Sequence, residues 1–178
     1  MRLFPGEDAP NFIVSDIFGK KICLTDFEGK KLLICFFRYA GCPFCNLSLF
    51  RLAAHVPEFE AKGLSLVAFF QSPEPTLHKY PGKLQVPFPL ISDPDKKIYN
   101  AYGVESSFEK AVRSITKIPV YVEAVLKYKF VQGKMDGDAF LMPAYFLIDQ
   151  NQKIYKAKYG LSMAEDVPMI DIQEFILF

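Results

Sequence analysis

The chain has 178 residues, 51% of them apolar and 15% aromatic, with 18 Phe and no Trp. That length suits one domain, 1–178, with a substantial core, and the composition argues against disorder. The 21 basic and 20 acidic residues are mixed along the chain and leave a net charge of +1, so no phosphate-tracking surface and no nucleic acid partner is expected.

The first residues, MRLFPGEDAPNF, contain no apolar core of the length a secretory signal needs. The longest apolar run, 32–37, is far too short to span a bilayer. A cytoplasmic protein with no membrane partner is the expectation, and in that reducing compartment four cysteines are thiols rather than structural staples.

NFIVSDIFGKKICLTDF reads as a β-hairpin, with strands at 12–14 and 22–24 around a turn at Phe18-Gly19-Lys20. KKLLICFF is a continuous apolar run of strand length, as in a strand covered on both faces. After the Tyr-Ala-Gly link and two cysteines comes a helix of about twenty residues ending near Gly63, with Pro57 expected to bend or interrupt it. LSLVAFF is a second buried strand, and the order strand, helix, strand implies parallel neighbours. SPEP reads as a helix start capped by Ser72, PFPLISD as a short strand, and DPDKKIYNAYGV as a cap, a short helix and a glycine stop.

Between about 105 and 140 lies a helical insertion. Apolar residues at Phe108, Val112, Ile115, then Ile118, Val122, Val125 and Leu126, predict one helix, a break at Pro119 and a second helix. The second is apolar around most of its circumference, which predicts burial against the chain's own sheet; a lid or a homodimer contact are the alternatives. PAYFLIDQNQKIYKAKYG then reads as a second hairpin, and Pro168 opens a last amphipathic stretch.

Cys42-Pro43-Phe44-Cys45 sits where the first buried strand gives way to the long helix. A thiol is a nucleophile only as thiolate, and a helix's first turn favours that anion through its unpaired N–H groups and positive dipole end. Two intervening residues let the second thiol reach back to close a disulfide, Pro43 suits the opening helical position, and Gly41 precedes the pair. A zinc half-site would need a second pair of soft ligands, but Cys23, Cys35, His55 and His78 occur singly, so neither metal nor cofactor is expected. Cys23 and Cys35 read as packing residues inside strands. His55 is ten residues beyond Cys45, roughly 15 Å along a helix, too far to be its base. Activation therefore falls to the helix terminus and to Arg38, four residues before Cys42.

The stretches PGEDAPNF, GKKICLTDFEGKKLLICFF, GCPFC, SDPDKKIYNAYGV and PAYFLIDQNQKIYKAKYG resemble, in order, the landmarks of the alkyl hydroperoxide reductase/thiol-specific antioxidant family. The chain is most similar to peroxiredoxin-like members with C-x-x-C, a helical insertion and an Asp-x-Pro, here Asp166-Val167-Pro168. The resemblance implies an α/β thioredoxin-like fold: a central mixed β-sheet flanked by helices, with an N-terminal β-hairpin and the reactive cysteine at the first long helix.

Departures from the peroxiredoxin pattern bear on the activity. In that pattern Thr or Ser stands three residues before the peroxide-attacking cysteine, Pro seven before, an acidic residue three after, and Arg before the FxID strand. Aligned on Cys45, this chain has Cys42, Arg38, Ser48 and Pro143 there. Pro143 instead resembles the thioredoxin proline, which implies a cis bond facing the C-x-x-C and a Met142 backbone open to an extended disulfide substrate.

Three functions remain open. One is thioredoxin-like disulfide exchange in redox homeostasis, with Cys42 attacking and Cys45 resolving, which the site details favour. Another is a thiol peroxidase reducing hydroperoxides, which the whole-chain resemblance favours with Cys45 attacking. Both imply an external thiol electron donor of thioredoxin or glutathione type. The third is a non-catalytic redox sensor or interaction protein, whose disulfide would switch the insertion.

Overall fold

The computed structural model describes residues 1–178, apart from the side chains of Arg113 and Ile115. Ile115, one of the apolar positions in the predicted insertion helix, thus lies outside the described residues. A five-stranded mixed sheet forms the centre, with strands β3 (Lys31–Phe36), β4 (Leu64–Phe70), β5 (Leu90–Ser92), β6 (Ala144–Ile148) and β7 (Ile154–Tyr159). Their order is β5-β4-β3-β6-β7; β3, β4 and β5 run parallel, and β6 and β7 are antiparallel additions. The predicted N-terminal hairpin is a separate pair, β1 (Ile13–Ser15) and β2 (Lys21–Cys23).

Strand periodicity explains the two-sided core. Successive side chains of β3 alternate between faces. Leu33 and Cys35 join Leu49, Leu52, Val56 and Phe59 of helix α1 (Pro43–Ala61), and Ile172 and Phe175 of the C-terminal helix, under one face. Leu32, Ile34 and Phe36 join Phe12, Ile22, Tyr99 and Tyr102 under the other. With every β3 residue buried, the unbroken apolar run is what such a central strand requires. Pro57 lies inside α1 without ending it.

The short helices α2 (Glu74–Lys79) and α3 (Lys97–Ala101) follow β4 and β5. Lys96, in the left-handed region, is the N-cap of α3, and the Asp93 carboxylate three residues earlier accepts the N–H groups of Lys97, Ile98 and Tyr99. Ser72 does not cap α2. Pro73 takes that place, and the Ser72 hydroxyl turns inward to accept the Ala40 N–H at 2.8 Å.

The insertion contains α4 (Phe108–Arg113), a 3-10 turn, α5 (Ile118–Val122) with Pro119 in its first turn, and a π turn over Glu123–Lys127. It departs from expectation in packing. Rather than lying on the sheet, it rests on α1: Tyr121 against Phe44 and Tyr128 against Phe50, with ring centroids 5.8 and 5.2 Å apart. Ile118 and Leu126 stay 61% and 66% exposed, because one helix cannot cover a circumference apolar on several faces. The chain ends in α6 (Met169–Leu177). Among the described residues no helix is long and apolar enough to cross a membrane.

Candidate active site

Cys42 is the N-cap residue of α1, with extended backbone angles, and Pro43 opens the helix behind it. This geometry follows from sequence: β3 ends, Cys42 N–H bonds back to the Tyr39 carbonyl at 3.1 Å, and proline fixes the first helical φ. Both thiols are free and buried, Cys42 fully and Cys45 to 3% exposure. Asn46 holds the corner from within, its side-chain N–H groups donating to the carbonyls of Ala40 (2.7 Å) and Cys42 (2.9 Å).

The two sulfurs are electrostatically unequal. Burial pushes the Cys42 thiol up, but this is outweighed by hydrogen bonding from the Cys45 thiol, the Arg38 guanidinium, and the Cys45 and Phe44 amides facing the sulfur, which together lower its pKa to about 6. Those amides point at the sulfur without closing full cap hydrogen bonds. Arg38 is itself buried, with Nη1 3.4 Å from Cys42 Sγ, Nη2 donating to the Ala139 carbonyl, and its guanidinium carbon 5.0 Å from the centre of the Tyr39 ring. Cys45 lies the other way: burial first, then donation to its ionised neighbour, hold its pKa well above the ordinary range. The arrangement sets a thiol that ionises readily beside one that holds its proton.

The expected supporting residues divide. Arg38, Gly41 and Pro43 do surround Cys42. Pro143 and Met142 do not behave as the thioredoxin resemblance implies. Among the described residues no peptide bond is cis, so Pro143 follows a trans bond. Met142 is 1% exposed, and its N–H is spent on the Glu105 carbonyl at 3.0 Å. The reason is the insertion's neck, where Ser107 N–H also bonds the Phe140 carbonyl and Ser106 bridges to Leu141, occupying the backbone a substrate would need. Pro143 lines a cleft with Cys35, Ser48, Tyr145 and Asp166. Asp166 accepts from the Ser48 hydroxyl and from Arg51 at 2.9 Å, tying the Asp-x-Pro loop to α1.

Cys35 stays a packing residue in β3, its thiol pushed up by burial and by Asp166, and Cys23 is half-buried in β2. His55 stacks near Phe59 and lies 4.0 Å from Glu58; His78 lies 3.6 Å from Glu74 and edge-on to Phe18.

Residues missed from sequence come mostly from the irregular segment 129–140. Gly133 N–H donates to the Gly41 carbonyl at 2.8 Å, the Tyr39 hydroxyl reaches Gln132 at 3.1 Å, and Asp136 receives the Ser72 hydroxyl. Gly41 is required here: a Cβ would sit 2.8 Å from the Gly133 and Lys134 backbones. The glycines of GCPFC and VQGKMDGD were the only sequence signal of this close approach.

Comparisons with known proteins bear on the chain as a whole. The family model described as AhpC/TSA matches residues 5–157. Peroxiredoxin Bcp of Escherichia coli is 29% identical over 129 residues, covering 71% of this chain and 83% of its own. The thiol-disulfide oxidoreductase ResA of Bacillus subtilis is 31% identical over 100 residues, covering 56% and 55%. The crystal structure of peroxidoxin BcpB from Mycobacterium tuberculosis shares the fold at a TM-score of 0.70 and 16% identity, over 97% of this chain and 96% of that one. Matched along most of its length, and through the strand–helix corner that carries both thiols, the chain is a thiol-dependent oxidoreductase and belongs to the AhpC/TSA family.

Proposed function

We propose that the protein exchanges a Cys42/Cys45 dithiol with substrate disulfides. The Cys42 thiolate attacks one substrate sulfur, the substrate S–S bond breaks, and the departing sulfur takes a proton. Cys45 then gives up its proton and attacks Cys42 in the mixed disulfide, releasing the second substrate thiol and leaving a Cys42–Cys45 bridge. An external thiol donor of thioredoxin or glutathione type returns the pair to the dithiol. The observation that carries this assignment of roles is the opposed ionisation of the two sulfurs, Cys42 lowered and Cys45 raised.

A second reading, thiol peroxidase, draws support from the family match and from Arg38, whose guanidinium could also hold a peroxide oxygen. In it the thiolate attacks the peroxide, an alcohol or water leaves, and the sulfenic acid condenses with the other thiol, expelling water. The exposed apolar residues Ile118, Val122 and Leu126 are consistent with a homodimer through the insertion, which sedimentation would test.

Stopped-flow oxidation of the reduced protein, wild type, Cys42→Ser and Cys45→Ser, separates the readings. Disulfide exchange expects fast turnover of a model disulfide that needs Cys42, with slow oxidation by peroxide. Rapid peroxide consumption surviving in Cys42→Ser would make Cys45 the attacking residue and overturn the proposal. Negligible turnover on both substrates would leave the sensor reading.

A further inference from the structure

The thiols of a redox enzyme must meet their substrate, yet Cys42 is fully buried and Cys45 nearly so. What covers the corner is the chain's own segment 132–139, which contains neither helix nor strand. The groups gripping that segment take hold of its main chain. The Gly41 carbonyl accepts Gly133 N–H at 2.8 Å. The buried Gln71 side-chain amide both donates to the Asp138 carbonyl (2.9 Å) and accepts the Asp138 N–H (2.8 Å), the two-bond pattern one peptide unit offers another. Arg38 donates to the Ala139 carbonyl, and the Tyr80 hydroxyl accepts Lys134 N–H at 3.3 Å.

Meanwhile side chains of the segment face outward: Lys134 is exposed and Met135 is 62% exposed. The fit depends on backbone closeness, since a Cβ at Gly133 would meet the Tyr80 ring at 2.5 Å and one at Gly137 the Gln71 side chain at 2.6 Å. The closed form also carries a cost: among the described residues, Arg38 Nε and Asp136 Oδ2 are buried there without a hydrogen-bond partner. Buried unpaired polar atoms favour an alternative in which water reaches them. Side-chain links from Asp136 to Ser72 and from Asp138 to Lys96 and Ser106 hold the segment meanwhile.

We propose that Gly41, Gln71, Arg38 and Tyr80 form a main-chain-reading groove for a polypeptide segment, occupied at rest by residues 132–139, which an incoming polypeptide displaces to reach Cys42. This rests on the dithiol reading above and adds its substrate class, a disulfide carried on an uncoiled stretch of protein. It also adds a built-in competitor for the site.

The test is the rate of Cys42 alkylation by iodoacetamide as a function of pH, followed by mass spectrometry. The inflection reports ionisation and the plateau reports access. Gln71→Ala and Gly133→Val, both loosening the segment by different means, should raise the plateau on the order of tenfold without moving the inflection. A synthetic peptide of residues 130–141 added to Gly133→Val should slow alkylation severalfold, and the same peptide N-methylated at its amide nitrogens should not. Hydrogen exchange at Gly133 and Asp138 in the unmodified protein, which requires no variant to fold, should report an opening slower than ordinary loop exchange. Equal plateaus in all three proteins, or no protection by the peptide, would overturn the proposal. Alkylation needs no turnover, so raised plateaus and peptide protection without disulfide reduction would sink the redox reading alone. Intact turnover without protection would sink the groove alone.

Discussion

At the scale of single residues, the decisive pair is Arg38 with Cys42. A buried guanidinium 3.4 Å from a buried sulfur favours the charged form of that sulfur. Cys42 alkylation should therefore inflect near its lowered pKa of about 6, and Arg38→Met should move that inflection upward by about one pH unit. An unmoved inflection would assign the whole effect to the helix terminus and the Cys45 thiol. Linkage gives a second reading of the same charge. A folded-state pKa below the ordinary thiol value of about 8.5 stabilises the reduced protein fully above that value, and the stabilisation is lost as pH falls through about 6. Between pH 8.5 and pH 6 the urea midpoint of the reduced wild type should thus fall further than that of Cys42→Ser. The opposed shift of Cys45 acts at more alkaline pH, where a thiol held protonated costs stability.

At the scale of elements, local chemistry placed most helices and strands within a residue or two of their sequence positions. Asp93 shows why: an acidic residue ahead of a short helix can satisfy several of its free N–H groups at once. Asp93→Ala should cost about 1–2 kcal/mol in urea denaturation, since α3 has only five residues in which to recover the loss. Ser72 illustrates the limit of the same rule. Its position at the head of SPEP satisfies the local criteria for a cap, yet its hydroxyl bonds Ala40, 32 residues away in sequence, and Asp136, 64 away. The burial of α5 failed for a related reason. Its apolar pattern tells which residues avoid water, while the surface that would cover them belongs to α1, already packed on the sheet by its other face.

At the scale of the whole molecule, two cores meet across β3, and Phe36 is the centre of one. Fully buried, it has the rings of Phe69, Tyr99, Tyr102 and Phe146 with centroids 4.9 to 5.7 Å away. Phe36→Ala should cost about 3–5 kcal/mol, measured by chemical denaturation, because four neighbouring rings, from β4, β6, α3 and the residue that ends α3, cannot all collapse into the space. The sequence by itself determined the two hairpins, the buried parallel strands and the placing of Cys42 at a helix start, because strand alternation, proline and cap chemistry act over a few residues. It did not determine that Arg38 would donate to the Ala139 carbonyl, 101 residues on, or that the neck of the insertion would take the Met142 N–H. Those outcomes depend on hydrogen bonds between distant segments. Only the folded sheet, by bringing 105–107 against 140–142 and Gly133 onto Gly41, decided which donor met which acceptor.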